Sequence, residues 1–217
     1  MKKIIVIAGV IIAILLGVTL LRPGKTETMA EQKEIEAAET EREVTVRIID
    51  ETRGGTLFSE RKPTTPEDFR AIKFMQSDVG EWTRNYCYEK KLDPFVVFSL
   101  MEYESDFNPE SVGDGGESVG ILQIQKKWHY EEMERVGVSD LTDPRESVKA
   151  AVEIILDYAD IEGEQKDLCY VLMAYNGGEA YARKYSETSP SDYAIEIMDR
   201  AVVLRELYEG ARYEGTD

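Results

Sequence analysis

Two glutamates close an otherwise apolar run: Pro94-Phe-Val-Val-Phe-Ser-Leu-Met-Glu-Tyr-Glu-Ser ends in Glu102, Glu104 and Ser105. A carboxyl group beside apolar surface is costly to ionise unless it has a partner or a task. On a helix, Glu104 stands seven residues beyond Val97 and three or four beyond Met101 and Leu100, so it continues their apolar stripe. Glu102 is turned by about 200° from it, so the two acids cannot share a face and at most one meets a cleft. A desolvated glutamate keeps a protonated fraction near neutral pH and can hand that proton to a leaving oxygen. Taken alone, the pair reads better as two exposed helix-end acids. Its neighbours change that reading.

Asp106-Phe-Asn-Pro-Glu-Ser stops the helix, and Gly113-Asp-Gly-Gly-Glu-Ser-Val-Gly forms a loop able to turn sharply and lay backbone close to a ligand. Gln123 follows within Ile121-Leu-Gln-Ile. Its amide offers both donors and acceptors, which suits sugar hydroxyls and acetamido groups, and its apolar neighbours would fix its rotamer. Ala174-Tyr-Asn-Gly-Gly sets a ring, Tyr175, and an amide, Asn176, at a helix end stopped by glycines. Singly, Gly177 is a helix cap and Tyr175 a packed ring.

Composition removes competing chemistries. Forty-three acidic against 26 basic residues give a formal charge of −17, which repels phosphate backbones and sets nucleic acid aside. Two Cys and one His cannot supply a zinc framework, so neither a metal nor another cofactor is expected, and any Ser-His or Cys-His nucleophile would need His129. His129, in Lys-Lys-Trp-His-Tyr, reads as a surface or internally satisfied histidine. A bond between Cys87 and Cys169 is left open, because sequence does not test their separation.

The elements that must position these residues are helices. Thr65-Pro66-Glu67-Asp68 offers an N-cap, a first-turn proline and an acid ahead of Phe69, Ile72, Val79, Trp82 and Tyr86. The same punctuation recurs at Asp143-Pro144, before Val148, Val152 and Ile155, and at Ser189-Pro190, before Tyr193, Ile197 and Leu204. With the apolar segments Pro94–Glu104 and Asp167–Asn176, these describe a mostly α domain over residues 66–213. Phe69, Trp82, Val148, Val152, Ile155 and Ile197 are assigned to packing.

The preceding chain divides in two. Ile4 to Leu21 carries no charge, follows Lys2 and Lys3, and at about 18 residues nearly spans a hydrocarbon core of about 30 Å. Residues 1–25 therefore read as a membrane anchor, with the body outside the cytoplasm. A cleaved signal peptide, which would leave a secreted protein, wants a shorter apolar stretch, and Gly17-Val18-Thr19 is a weak exit site. Residues 26–65 are polar and read as a linker.

Taken together, the motifs resemble the soluble lytic transglycosylase (SLT) family of lysozyme-like domains. Glu104-Ser105 with Phe107 and Pro109 resembles that family's Glu-Ser-x-Phe-x-Pro. Gly120-Ile-Leu-Gln123 resembles its Gly-Leu-Met-Gln, with Ile-Leu as a volume-conserving replacement. Ala174-Tyr-Asn-Gly177 resembles its Ala-Tyr-Asn-Gly, Leu141-x-Asp143-Pro144 its Leu-x-Asp-Pro step, and Tyr193 its late tyrosine. The likeness covers roughly residues 80–205, and several motifs in order are more specific than any one of them.

The resemblance implies cleavage of the β-1,4 bond between N-acetylmuramic acid and N-acetylglucosamine in peptidoglycan. Glu104 would be the single acid and base, and the product end a 1,6-anhydro sugar. It assigns Ser105, Gln123 and Asn176 to orienting the sugar by hydrogen bonds and Tyr175 and Tyr193 to shaping the cleft, with glycan strands as the partner. The Asp114 loop instead resembles goose-type lysozymes, which carry an Asp at that place and a second acid where this chain has Gln125. That implies the alternative of a hydrolytic muramidase in which Asp114 holds a water. A wall-binding scaffold without activity is the third reading.

Overall fold

The computed structural model describes residues 62–161, 163–186 and 188–214. The expected membrane segment at 4–21 and residues 26–61 of the expected linker lie outside the described residues. Among the described residues no helix is long and apolar enough to cross a membrane.

Eight helices and two small sheets make up the described body: α1 (Pro66–Met75), α2 (Asp78–Glu89), α3 (Pro94–Ser105), α4 (Tyr130–Arg135), α5 (Pro144–Ala159), α6 (Leu168–Gly177), α7 (Glu179–Tyr185) and α8 (Asp192–Glu214). Three two-residue strands, β1 (Val112–Gly113), β2 (Ser118–Val119) and β3 (Ile124–Gln125), pair antiparallel in chain order, with Val119 opposite both Val112 and Ile124. A second antiparallel pair, β4 (Asp160–Ile161) and β5 (Glu164–Gln165), follows α5.

Helix α3 is the centre. Every residue from Pro94 to Met101 is buried, as its all-round apolar sequence requires. Helix α8 packs along it, and α6 packs against both α5 and α8. Full burial of one Leu, Val or Phe is worth about 1.5–3 kcal/mol, so the eight-residue buried stretch of α3 holds the neighbouring helices at fixed positions around Glu104.

Two caps stand where the sequence puts them. Thr65 accepts the Asp68 amide while the Asp68 side chain returns a bond to the Thr65 amide, a reciprocal capping box. Asp143 accepts from the Arg145 and Glu146 amides at the head of α5.

Other expectations are corrected. The first predicted helix is two, because the Ser77 side chain takes the Gly80 amide and starts α2 afresh. Phe69 is 59% exposed and not in the core. The buried stripe of α1 is Asp68, Ala71 and Met75, and Phe69 stands about 100° aside from Asp68. The last helix starts at Asp192, with Ser191 and not Ser189 as its cap, since Ser191 Oγ accepts the Ala194 amide. On the question left open by the sequence, Cys87 is buried and no disulfide joins it to Cys169. The expected glycine loop is a real one, but three strands frame it. Trp82 is partly buried, and Val148, Val152, Ile155 and Ile197 lie in the core.

Candidate active site

The C-terminal turn of α3 meets the three-stranded sheet and the end of α6 around one cleft of about 690 Å³, within the size range of small-ligand sites. Glu104 lines it together with Asp114, Gln123, Tyr175 and Asn176. Helix α3 ends abruptly beyond Glu104, with Asp106 and Phe107 both in the left-handed region (φ 55° and 62°). Asp114 and Gln123 are also left-handed, at φ 47° each. Non-glycine residues held this way cost of order 1–3 kcal/mol each and collect where a structure sacrifices relaxation for placement.

Glu104 is partly buried and receives one hydrogen bond, from Tyr193 Oη to its Oε1 at 2.6 Å. Burial pushes its carboxyl above the ordinary glutamate range. The Tyr193 bond pulls the other way, and the negative charge of Asp114 adds to the upward push. No Lys or Arg among the described residues pairs with it, so the proton is retained more readily than on an open surface. Tyr193, brought in by the first turn of α8 and buried edge-on against Tyr103, is itself pushed far up by burial and then by the Glu104 charge. It therefore stays a donor.

Glu102, two residues back, faces away. Its two oxygens accept from Arg200 Nε (2.6 Å) and Nη2 (2.8 Å), and Arg200 Nη1 reaches buried Asp68 at 2.9 Å. This fork ties α1, α3 and α8 together. Ser99 Oγ, which donates to the Ile197 carbonyl at 2.9 Å, is a second tie between α3 and α8. Arg200 escaped the sequence reading because its partners lie 98 and 132 residues away.

Gln123 lines the cleft, but its NH₂ group is committed inward, donating to the Ser111 and Gly120 carbonyls at 3.0 and 2.9 Å. The expectation that both ends of this amide are free for sugar is corrected: only Oε1 is left for that purpose. Oε1 in turn requires Gly113, where a Cβ would stand 2.5 Å from it. Gly120 has φ 83° and approaches the Leu141 carbonyl so closely that a Cβ would sit 1.9 Å away, which joins the Gly-Ile-Leu-Gln segment to the Leu-x-Asp-Pro step.

Ser105 is also corrected. Its hydroxyl lies against the Met101 and Ile121 carbonyls (3.1 and 2.8 Å) and accepts the Asn108 amide at 3.2 Å, so it is a brace between α3 and the following segment and does not line the cleft. Tyr175 Oη donates to the Leu122 carbonyl at 2.9 Å and burial holds its hydroxyl protonated, which ties α6 to the same segment. Asn176 is exposed on the cleft wall.

Asp114 also lines the cleft and is exposed, and its Oδ2 accepts from Ser118 Oγ (2.6 Å) and Gln125 Nε2 (3.0 Å), with Gln125 also donating to Ser118 Oγ at 3.1 Å. Sequence reasoning missed Ser118 and gave Gln125 no site role. It also missed that Trp128, His129 and Tyr158 line the cleft. His129 is indeed internally partnered, its Nδ1 3.3 Å from Glu132 Oε1 and its ring edge-on to Tyr158. The available signal was position: Trp128 and His129 stand just beyond the motif that ends in Gln123. Among the described residues no cluster of three His, Cys, Asp or Glu is arranged to hold a metal ion.

Residues 82–197, more than half of the chain, match the family described as Transglycosylase SLT domain. The chain belongs to that family, and membership implies cleavage of peptidoglycan glycan in general. It is also similar to lysozyme G of Dromaius novaehollandiae, at 24% identity over 141 residues, covering 62% of this chain and 67% of that protein. No solved structure gives a significant match.

Proposed function

We propose that this protein is a lytic transglycosylase in which Glu104 is the single catalytic acid and base. The observation that carries the reading is a cleft-lining carboxyl raised by burial, unpaired by any described cation and held by a tyrosine that does not ionise. Protonated Glu104 donates to the glycosidic oxygen as the C1–O bond breaks, leaving an oxocarbenium-like N-acetylmuramic acid. The C6 hydroxyl of the same sugar attacks C1. Its proton passes to the Glu104 carboxylate, which restores the starting state and closes the 1,6-anhydro ring.

Tyr193 holds the carboxylate while its proton is away, so the intermediate charge is not stranded. Asn176 and Gln123 Oε1 orient the sugar, and Tyr175 fixes the wall behind it. Outside this site, we extend the proposal to the cellular setting: residues 4–21 tether the domain to a membrane and its linker gives it reach to the wall.

One observation favours a second reading. The Asp114 carboxylate faces the same cleft and is oriented by Ser118 and Gln125, as a group that positions a water would be. Hydrolysis would then leave a reducing end. Mass spectrometry of fragments released from purified peptidoglycan separates the two by the mass of one water. Anhydro ends are expected, and reducing ends would overturn the lytic route in favour of hydrolysis.

A further inference from the structure

Trp128 is the most exposed large apolar side chain of the described body, at 72%, while the other tryptophan, Trp82, is partly buried and stacked on Tyr86 at 5.1 Å. An indole left this open forgoes the burial that rings of its size usually find. Trp128 is nevertheless not loose. It stands in the turn after β3, with its amide bonded to the Gln125 carbonyl at 3.0 Å. Lys127 Nζ lies 5.5 Å from the ring centroid, and that ammonium is itself tied to Glu117 at 2.9 Å. Gln125, which holds Asp114, is a strand residue and Glu117 immediately precedes β2, so the turn that carries the ring is anchored to the frame that builds the cleft.

The same cleft that contains Glu104 is bordered by Trp128. A pyranose ring presents a face of C–H bonds bounded by hydroxyls, which suits an apolar indole plane set among polar side chains such as His129 and Gln125. We infer that Trp128 is a stacking platform for a saccharide unit of the glycan strand, beyond the unit whose bond is broken. The inference rests on the proposed glycan cleavage and adds a specificity-determining residue to it. The platform makes the enzyme favour strands long enough to reach it.

The test uses the full-length protein, soluble glycan strands stripped of stem peptides, and graded strand lengths. Trp128→Ala is expected to raise KM about tenfold on long strands, equal to about 1.4 kcal/mol. The loss should be concentrated in KM, and Trp128→Phe, which keeps a flat ring, should recover most of it. In a Glu104→Gln background, binding of the same strands should shift tryptophan emission to shorter wavelength, and Trp128→Phe should remove that shift while preserving affinity.

A Trp128→Ala enzyme that cleaves long strands with unaltered KM overturns the platform and leaves the proposed function standing. A defect seen only on strands that still carry peptides also overturns it, in favour of a peptide contact. If the wild-type protein cleaves no glycan, the proposed function falls and the platform with it.

Discussion

Glu102 and Glu104 sit two residues apart on one helix and live in opposite worlds. Glu102 spends its charge on Arg200, a forked pair that also serves Asp68 and locks three helices together. Glu104 has a tyrosine where Glu102 has a guanidinium, and it lines a cleft where Glu102 meets α8. A carboxylate forked on a guanidinium becomes a strut. A desolvated, cation-free one is pushed toward its protonated form, as the proposed reagent must be. The about 200° turn between the two positions lets one short helix supply both. The strut serves the reagent, because Arg200 fixes the same helix, α8, whose first turn delivers Tyr193 to Glu104.

The comparison breaks most completely on the reagent side. Glu104→Gln should lower glycan cleavage by about 10²–10⁴-fold, the usual contribution of a positioned acid and base, as read by fragments released from peptidoglycan. Fold should survive. Burial raises the folded-state pKa of Glu104, so its ionisation state favours the folded protein below the unfolded glutamate pKa. That contribution fades as pH rises through the higher folded value. The neutral amide escapes this loss, and the variant should melt no lower than wild type at neutral pH by circular dichroism.

On the strut side, Arg200→Ala should cost about 2–3 kcal/mol in urea unfolding, somewhat below the roughly 3–5 expected for a fully buried pair, because it leaves Asp68 and Glu102 facing each other without a cation. Asp68 is held below the ordinary aspartate range by hydrogen bonds from Arg200 and the Thr64 and Thr65 amides, which outweigh the burial that pushes it up. Its contribution is therefore present above the unfolded aspartate pKa and is lost as pH falls through the folded value. Acid should erase part of the difference between wild type and Arg200→Ala.

Two finer substitutions move one property in opposite directions. Tyr193→Phe removes the hydrogen bond that favours ionised Glu104, so the alkaline limb of the kcat/KM profile should move to higher pH while the maximum falls. Asp114→Asn removes a negative charge that favours protonated Glu104, so the same limb should move to lower pH. Limbs that fail to move, or that move together, would contradict the electrostatic account of the site.

Much of this was readable from local pattern. The stripe from Val97 through Met101 to Glu104, the angular split from Glu102, and the caps at Thr65 and Asp143 depend on residues within one or two helical turns, and all four stand in the structure. What escaped depends on distant partners. Neither Arg200 nor the inward bonds of Gln123 can be inferred from neighbours, because each is decided by which carbonyl or carboxylate the fold brings near. Ser105 sits in a motif that signals chemistry, yet its hydroxyl is used up by backbone. The break at Ser77 was invisible for a different reason: an apolar pattern can run straight through a cap, and Trp82 and Tyr86 keep the period across it.

The central claim is that burial keeps a proton on Glu104, and the direct measurement is the ¹³C chemical shift of its side-chain carboxyl followed through a pH titration of the folded protein. The account predicts a midpoint above that of an ordinary glutamate, coincident with the alkaline limb of cleavage. A midpoint at or below the ordinary value, with activity unchanged across it, would contradict the account.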